Sequence, residues 1–448
     1  MIVMKFGGTS VKDANAMKQV FEIIKSNSRK IVVLSACSGI TDKLISISKD
    51  SIRNFNRSSE LINEVQSYHH NLIDELIDDQ TFREIAKLKV KVIIDDVKLL
   101  AEGINLLEEL TNKTYDSIVS CGELLSTEVF TVYCLEQELN SKFISAREFI
   151  ITNSDFTSAK VNFDSSKSRI HSLIRSNTNI KVLITQGFIG SDRLGNPTTL
   201  GRGGSDYSAS VIGSLVEAES IEIYTDVNGI LTADPKVISL TKTIKDMTFD
   251  EVAELSFYGA KVIHPDTISP AEQHNIPVLV KNTFNHNGDF TKIQSEPQTK
   301  RPQINSITMM DNLCKCTISF IDNNSLQTRI NSLFKYIAKL ELKVYYYQIT
   351  SSGCIILIKN SKDFDSLSED IFEFVKSVKF EENELIILCG NNLTSESLFL
   401  YISKITDVIK HNQISFISAG LNKNSILIGV YKNNSSEILN SLHKAIFG

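Results

Sequence analysis

Thr198–Ser210 reads TTLGRGGSDYSAS: three glycines crowd one arginine within four positions, and Ser-Asp follows at once. The whole chain has 20 glycines in 448 residues, so this density is a local feature and not a compositional one. A tight turn into a helix needs one residue that tolerates φ > 0, and a single glycine supplies it. Three glycines, with a guanidinium and a carboxylate kept among them, point instead to a ligand. Its body touches backbone N–H groups while charged side chains hold its ends.

The text around this loop alternates short apolar runs with longer helical stretches. MIVMKF, KIVVLSA (Lys30–Ala36), KVLITQGF (Lys181–Phe188), SIEIYTD (Ser220–Asp226) and IPVLV (Ile276–Val280) read as strands. Several are apolar almost throughout, as parallel strands covered on both faces must be. Between them Val11, Ala14, Met17, Phe21 and Ile24 recur at helical spacing. Thr248 and Glu251 have capping-box spacing before FDEVAELSFY, and Gly259 suits the end of that helix. Strand–helix alternation predicts an α/β layered domain, whose ligands gather at the carboxyl ends of the strands. Residues 58–110 differ: a polar stretch with Leu61, Val65, Leu72 and Leu76 on one stripe predicts a helical insertion, its His69-His70 pair facing solvent.

Composition narrows the function classes. Hydrophobic content of 42% and charged content of 22% suit an ordinary globular protein with an ample core. A net charge of −6 argues against a general nucleic-acid binder. Seven scattered cysteines fit a reducing compartment, and the C-x-C at Cys314–Cys316 lacks the second pair of a zinc site. MIVMKF has no long apolar segment of the signal-peptide kind, and no uninterrupted apolar run nears the ~20 residues that span a bilayer. The expectation is a cytoplasmic protein that engages neither membrane nor nucleic acid.

Near 284–304 the text turns polar, with Pro297 and Pro302, and a domain boundary is expected there. The division is residues 1–300 and residues 301–448. Beyond it the order strand–helix–strand–strand occurs twice, from Cys314 and from Glu384, which predicts two small α+β modules.

Four clusters stand at predicted strand ends. KFGGTS (Lys5–Ser10) offers two glycines and a lysine between a strand and a helix, a setting for an anion. SCGELLST isolates Glu123 in an uncharged stretch. The opening loop brings Arg202, Ser205 and Asp206, and TDVNGILTADPKV with YGAKVIHP brings Thr225, Asp226, Lys236 and Lys261. Phosphoryl transfer asks for charge stabilisation and alignment, which glycines and lysines provide together. The common P-loop and protein-kinase signatures are missing. An arginine fork suits a carboxylate and a glutamate suits an amine, so the second ligand reads as an α-amino acid.

KFGGTSV, SCGELLST, ITQGFIG, TTLGRGGSDYSA, IYTDVNGILTADP and FYGAKVIHP, in this order between Lys5 and Pro265, closely resemble the motifs of the aspartokinases of the amino-acid kinase superfamily. The resemblance implies a three-layer αβα sandwich with a mainly parallel sheet, followed by ferredoxin-like ACT regulatory modules. It implies transfer from ATP, with Mg²⁺, to the side-chain carboxylate of L-aspartate, giving 4-phospho-L-aspartate. That is the first step toward lysine (through diaminopimelate), threonine and methionine. On the substrate side it implies Arg202 at the α-carboxylate and Glu123 at the ammonium, with Thr41, Gly203, Gly204 and Ser205 nearby. Lys5 and Asp206 are the implied catalytic pair, Asp206 orienting Lys5 at the phosphoryl group. Gly7, Gly8, Thr9 and Ser10 are implied on the phosphate side. Thr225, Asp226, Leu231, Lys236, Lys261 and Val262 are implied at the nucleotide. No protein metal ligand is assigned.

Leu231 stands where the family often has tyrosine, and Lys236 where arginine is common. Tyr345 occupies the place of an acidic effector contact of lysine-sensitive relatives. The resemblance further implies an amino-acid effector, lysine first, and a homo-oligomer, dimer or tetramer. Two other readings stand beside this one: a kinase for glutamate or an acylated amino acid, and a catalytically silent effector sensor.

Overall fold

Ile2–Phe6 (β1) is an apolar pentapeptide interrupted only by Lys5, and it lies at the centre of a sheet. The computed structural model describes residues 1–26, 28–201, 203–260, 263–296, 303–321, 326–359, 375–420, 423–432 and 435–448. The chain divides into two compact units. One comprises Met1–Ile230, Thr243–Phe249 and Ile263–Gln298; the other comprises Leu231–Lys242, Asp250–Val262 and Thr299–Gly448.

In the first unit the strands are β1, Lys30–Leu34 (β2), Ser141–Phe143 (β3), Val182–Gln186 (β4), Ile189–Ser191 (β5), Pro197–Thr199 (β6), Ser220–Thr225 (β7), Asp246–Thr248 (β8), Val278–Asn282 (β9) and Thr291–Gln294 (β10). Eight of them form one sheet in the order β3-β4-β2-β1-β7-β9-β10-β8, and β5-β6 make a separate hairpin. From β3 through β9 every pairing is parallel; β10 runs antiparallel to β9. The central strands are fully buried because helices cover both faces. Side chains alternate between those faces. Met4 and Phe6 enter a core shared with the helices Ala14–Ile24, Ile40–Arg53, Phe55–Leu76, Gln80–Leu107 and Cys121–Glu136. Val3 and Lys5 therefore point to the opposite face, where the helix Gly204–Leu215 packs on β1, β2 and β7. The chain leaves β1 for β2 on one side, while β7 pairs on the other. This switch in strand order opens a crevice at the carboxyl ends.

The stretch 58–110 is two long helices, each capped by a side chain. Asn54 accepts from Arg57 N at 3.2 Å, and Asp79 accepts from Thr81 N at 2.8 Å. The helical stripe Leu61, Val65, Leu72 and Leu76 is buried in the main core. His69 was expected at the surface and is instead fully buried, its Nδ1 2.7 Å from Val65 O. Position 69 lies four residues after Val65, on the same stripe, so the helix period carries it inward. The 25-residue run Asn112–Glu136 has the length and composition of a membrane span, yet 83% of its apolar window is buried inside the fold. It is a core element of this domain.

The second unit is antiparallel. Its strands are Gln303–Phe320 (β11), Val344–Thr350 (β12), Gly353–Lys359 (β13), Val375–Asn391 (β14), Ile414–Ser418 (β15) and Ser425–Tyr431 (β16), in the order β12-β13-β11-β14-β16-β15. β11 and β14 pair along most of their length, with a register shift between Met310 and Leu313. The two modules anticipated from the repeat share these strands. Cys316, Ile318 and Phe320 of β11 join one apolar core, whereas Ile304 and Ile307 of the same strand join the other. Ala233 and Ile238, far earlier in sequence, also pack in that second core. The fold is thus α/β with a mainly parallel sheet, plus an α+β region of ACT type.

Candidate active site

The site grows from the ends of β1, β2 and β7. Lys5 lies on the face of β1 that the helix Gly204–Leu215 covers, in register with Val33 and Ile223. Its Nζ stands 2.6 Å from Asp206 Oδ1. Asp206 sits in the first turn of the helix Gly204–Leu215, whose N-cap is Gly203 at φ +70°. A cation is thereby pinned beside a helix N-terminus, where unpaired N–H groups also favour an incoming anion.

Backbone contacts fix the loops around this pair. Gly7 N donates to Tyr224 O at 3.2 Å, Ser38 N donates to Gly8 O at 3.2 Å, and Gly187 N donates to Leu34 O at 2.8 Å. A Cβ on Gly8 would come within 3.0 Å of Ala36 O, and one on Gly204 within 2.3 Å of Phe188 Cδ2. The glycines thus let loops from different strands close on one point. Gly7, Gly8 and Thr9 are half-buried there; Ser10 is fully buried, its Oγ 2.7 Å from Thr283 Oγ1.

Glu123 projects from the helix Cys121–Glu136 and is only 3% exposed. Its Oε1 accepts from Ala36 N at 3.2 Å, while Oε2 is buried with no hydrogen-bond partner among the described residues. Burial pushes the carboxyl up to about 8, against the opposing pull of the Ala36 N–H and the charge of Lys5. A carboxyl in that state accepts an ammonium readily, since the partner restores the ionised form. Thr41, in the first turn of the helix Ile40–Arg53 behind Gly39 (φ +80°), and Ser205 are both half-buried.

On the other side of β1, Thr225 ends β7 half-buried and Asp226 is exposed; Thr225 Oγ1 donates to Asp226 Oδ1 at 3.2 Å. Thr283 N donates to Thr225 O at 2.8 Å, tying this loop to the end of β9. Leu231 and Lys236 belong to the second unit, the former half-buried and the latter exposed. Arg202, Lys261 and Val262 lie outside the described residues. A cavity of about 410 Å³ adjoins the glycine loop, with Lys160, Leu200, Tyr207 and Thr267 in its wall. It includes none of Lys5, Glu123 or Asp206.

Several contributors were not singled out in the sequence. The N–H of Ala36 carries no side-chain signal at all. Phe188, at φ +64°, donates its N–H to Ser208 Oγ at 2.8 Å and backs the glycine loop. Tyr224 stacks on Phe6 with centroids 4.6 Å apart and donates to Glu222, which also pairs with Lys281 at 2.7 Å. The aromatic residue after QG in ITQGFIG was the available hint for Phe188.

The model of the family described as "Amino acid kinase family" matches residues 1–282. A bifunctional aspartokinase/homoserine dehydrogenase of Buchnera aphidicola is 28% identical over 468 residues, covering 100% of this chain and 56% of that one. The chain thus spans about half the length of that two-activity relative. Aspartokinase 2 of Arabidopsis thaliana is 30% identical over 99% of this chain and 84% of its own. Among solved structures, Escherichia coli aspartokinase III in complex with aspartate and ADP superposes over 100% of both chains with TM-score 0.80 and 27% identity. The same protein with lysine and aspartate gives TM-score 0.81.

Proposed function

This chain belongs to the amino acid kinase family, in its aspartokinase branch, and from that premise we infer that it is an aspartate kinase. It transfers the γ-phosphoryl group of ATP to the side-chain carboxylate of L-aspartate, giving ADP and 4-phospho-L-aspartate, the entry to aspartate-derived amino-acid biosynthesis.

The observation that carries this reading is Glu123: a buried carboxyl with one oxygen bonded to Ala36 N–H and the other unpartnered. The substrate ammonium completes it, and Arg202 takes the α-carboxylate as a planar fork. The side-chain carboxylate of aspartate is already ionised at neutral pH, so it attacks phosphorus in line without a general base. Lys5 neutralises charge developing on the transferred oxygens, and Asp206 holds its ammonium in place. Gly7, Gly8 and Thr9 line the phosphate path, and Thr225 and Asp226 face the nucleoside. ATP enters as its Mg²⁺ complex. In that complex the nucleotide phosphates carry the ion, which keeps several of its waters.

ADP release measured with aspartate, with glutamate and with no acceptor tests the assignment. Turnover is expected with aspartate alone. Equal turnover of glutamate, or none with any acceptor, rejects it.

An amino-acid effector is proposed to act through the second unit, in which Tyr345 is half-buried and Lys343 Nζ lies 5.2 Å from its ring and 4.6 Å from that of Phe257. A lysine effector meets a like charge there. Titration of lysine, threonine and methionine against the initial rate identifies the effector, and homo-oligomer formation is read by light scattering in the same samples.

A further inference from the structure

We propose that Asp116 is a positioning residue for the aspartate side of the active site, holding in place the two chain segments that flank the glycine loop; this rests on the aspartate kinase reading above.

Asp116 lies in the helix Asn112–Val119 and is fully buried. Its Oδ2 accepts from Thr157 N at 2.9 Å and from Thr199 N at 2.9 Å, and its Oδ1 accepts from Thr199 Oγ1 at 2.7 Å. Among the described residues it has no ion pair with a cation, and these three hydrogen bonds offset part of the desolvation of the carboxylate. Burial raises its carboxyl above the ordinary range, and these bonds oppose the rise. Such a group is costly to bury for stability alone.

The groups that it holds are unusual. Thr157 sits at φ +76°, a left-handed conformation that β-branched residues seldom adopt. Thr199 ends β6, and Leu200 alone separates it from Gly201. Ala159 N donates to Thr199 O at 2.9 Å, so the two held segments also bond each other. Thr157 O lies 3.4 Å from where a Cβ on Gly201 would stand. The entry to the glycine loop therefore rests on backbone that Asp116 fixes, and strain concentrated at such a place accompanies function. Beyond Gly201 come Ser205 and Asp206. A shift in the entry moves Ser205 on the substrate side, while among the described residues no hydrogen bond joins the loop after β7 to Asp116, Thr157 or Thr199.

Asparagine is nearly isosteric but offers one acceptor oxygen, and its NH₂ would face an N–H donor. Steady-state kinetics of the full-length enzyme test the proposal. Asp116→Asn is expected to raise the KM for aspartate on the order of tenfold while the KM for ATP stays near wild type. Thr199→Val, which removes one donor, shifts the aspartate KM in the same direction; Thr199→Ser, which keeps it, restores the value. If Asp116→Asn does not fold, the Thr199 pair decides by itself. Equal rises in both KM values, or unchanged KM values with only a lower Tm, overturn the proposal. Wild-type turnover with aspartate is the separate measurement on which the kinase reading stands or falls.

Discussion

Lys5 and Asp206 are 201 positions apart in sequence, and their charged atoms stand 2.6 Å apart with 11% and 23% side-chain exposure. A central strand and the first turn of a helix deliver them to one point. In a partly dry crevice such a pair keeps the ammonium fixed while phosphoryl charge develops.

Replacing Lys5 by Met removes that charge and leaves a similar volume. The expected result is a loss of roughly 10²–10³-fold in kcat, with KM for both substrates changed far less. Asp206→Asn lowers kcat by a smaller factor, because the lysine stays but its position loosens. Steady-state rates with saturating ATP and aspartate make the comparison; a change confined to KM counts against the role.

Glu123 links substrate binding to a proton. With its carboxyl near 8 in the free enzyme, most of it is neutral at pH 7. An ammonium arriving at Oε2 ionises it, so aspartate binding releases close to one proton at that pH. Calorimetry in buffers of different ionisation enthalpy measures the release, and Glu123→Gln abolishes it. The same substitution weakens aspartate binding on the order of 10- to 150-fold. In stability, a carboxyl raised from 4.5 to about 8 by folding loses favour as pH rises through that interval. Glu123→Gln flattens that dependence.

His69 gives the opposite slope. Burial lowers its imidazole from 6.5 to about 4, so the stabilising neutral form is present above 6.5 and is lost as pH falls toward 4. The expected cost at the acid end is on the order of 3 kcal/mol. Chemical denaturation from pH 7 to pH 4 reads it, and His69→Leu removes this part of the acid sensitivity.

Gly204→Ala places a methyl 2.3 Å from Phe188 Cδ2, next to the backbone of Phe188 at 3.2 Å. Because the ring lies against the helix start, either the ring or the glycine loop must move. A fall of about 1–3 kcal/mol in unfolding free energy is expected, with a raised KM for aspartate. Phe188→Ala in the same chain makes room and recovers part of the KM. No recovery in the double variant removes the steric account.

The sequence by itself determined the layered α/β class, because nearly continuous apolar pentapeptides alternating with amphipathic stretches have few other ways to be buried. Its punctuation also marked the chemistry: glycine pairs next to Lys5 and to Asp206, and Glu123 in the otherwise uncharged stretch from Ser117 to Thr127, are local patterns that need no partner to be seen. The inward turn of His69 was written in the same helical stripe as Val65, although a histidine pair suggests a surface. Tertiary structure alone decided the rest. The N–H of Ala36 on Glu123, the Ser10–Thr283 hydroxyl pair and the three bonds of Asp116 join segments dozens to hundreds of residues apart through groups that every residue carries or that are common everywhere. The sharing of β11 and β14 between two cores likewise follows from pairing register, which a repeat of strand and helix types does not encode. Spacing along a chain reports which face a side chain takes; only closure of the fold, by burying a polar group where water cannot reach it, decides which partner it must have.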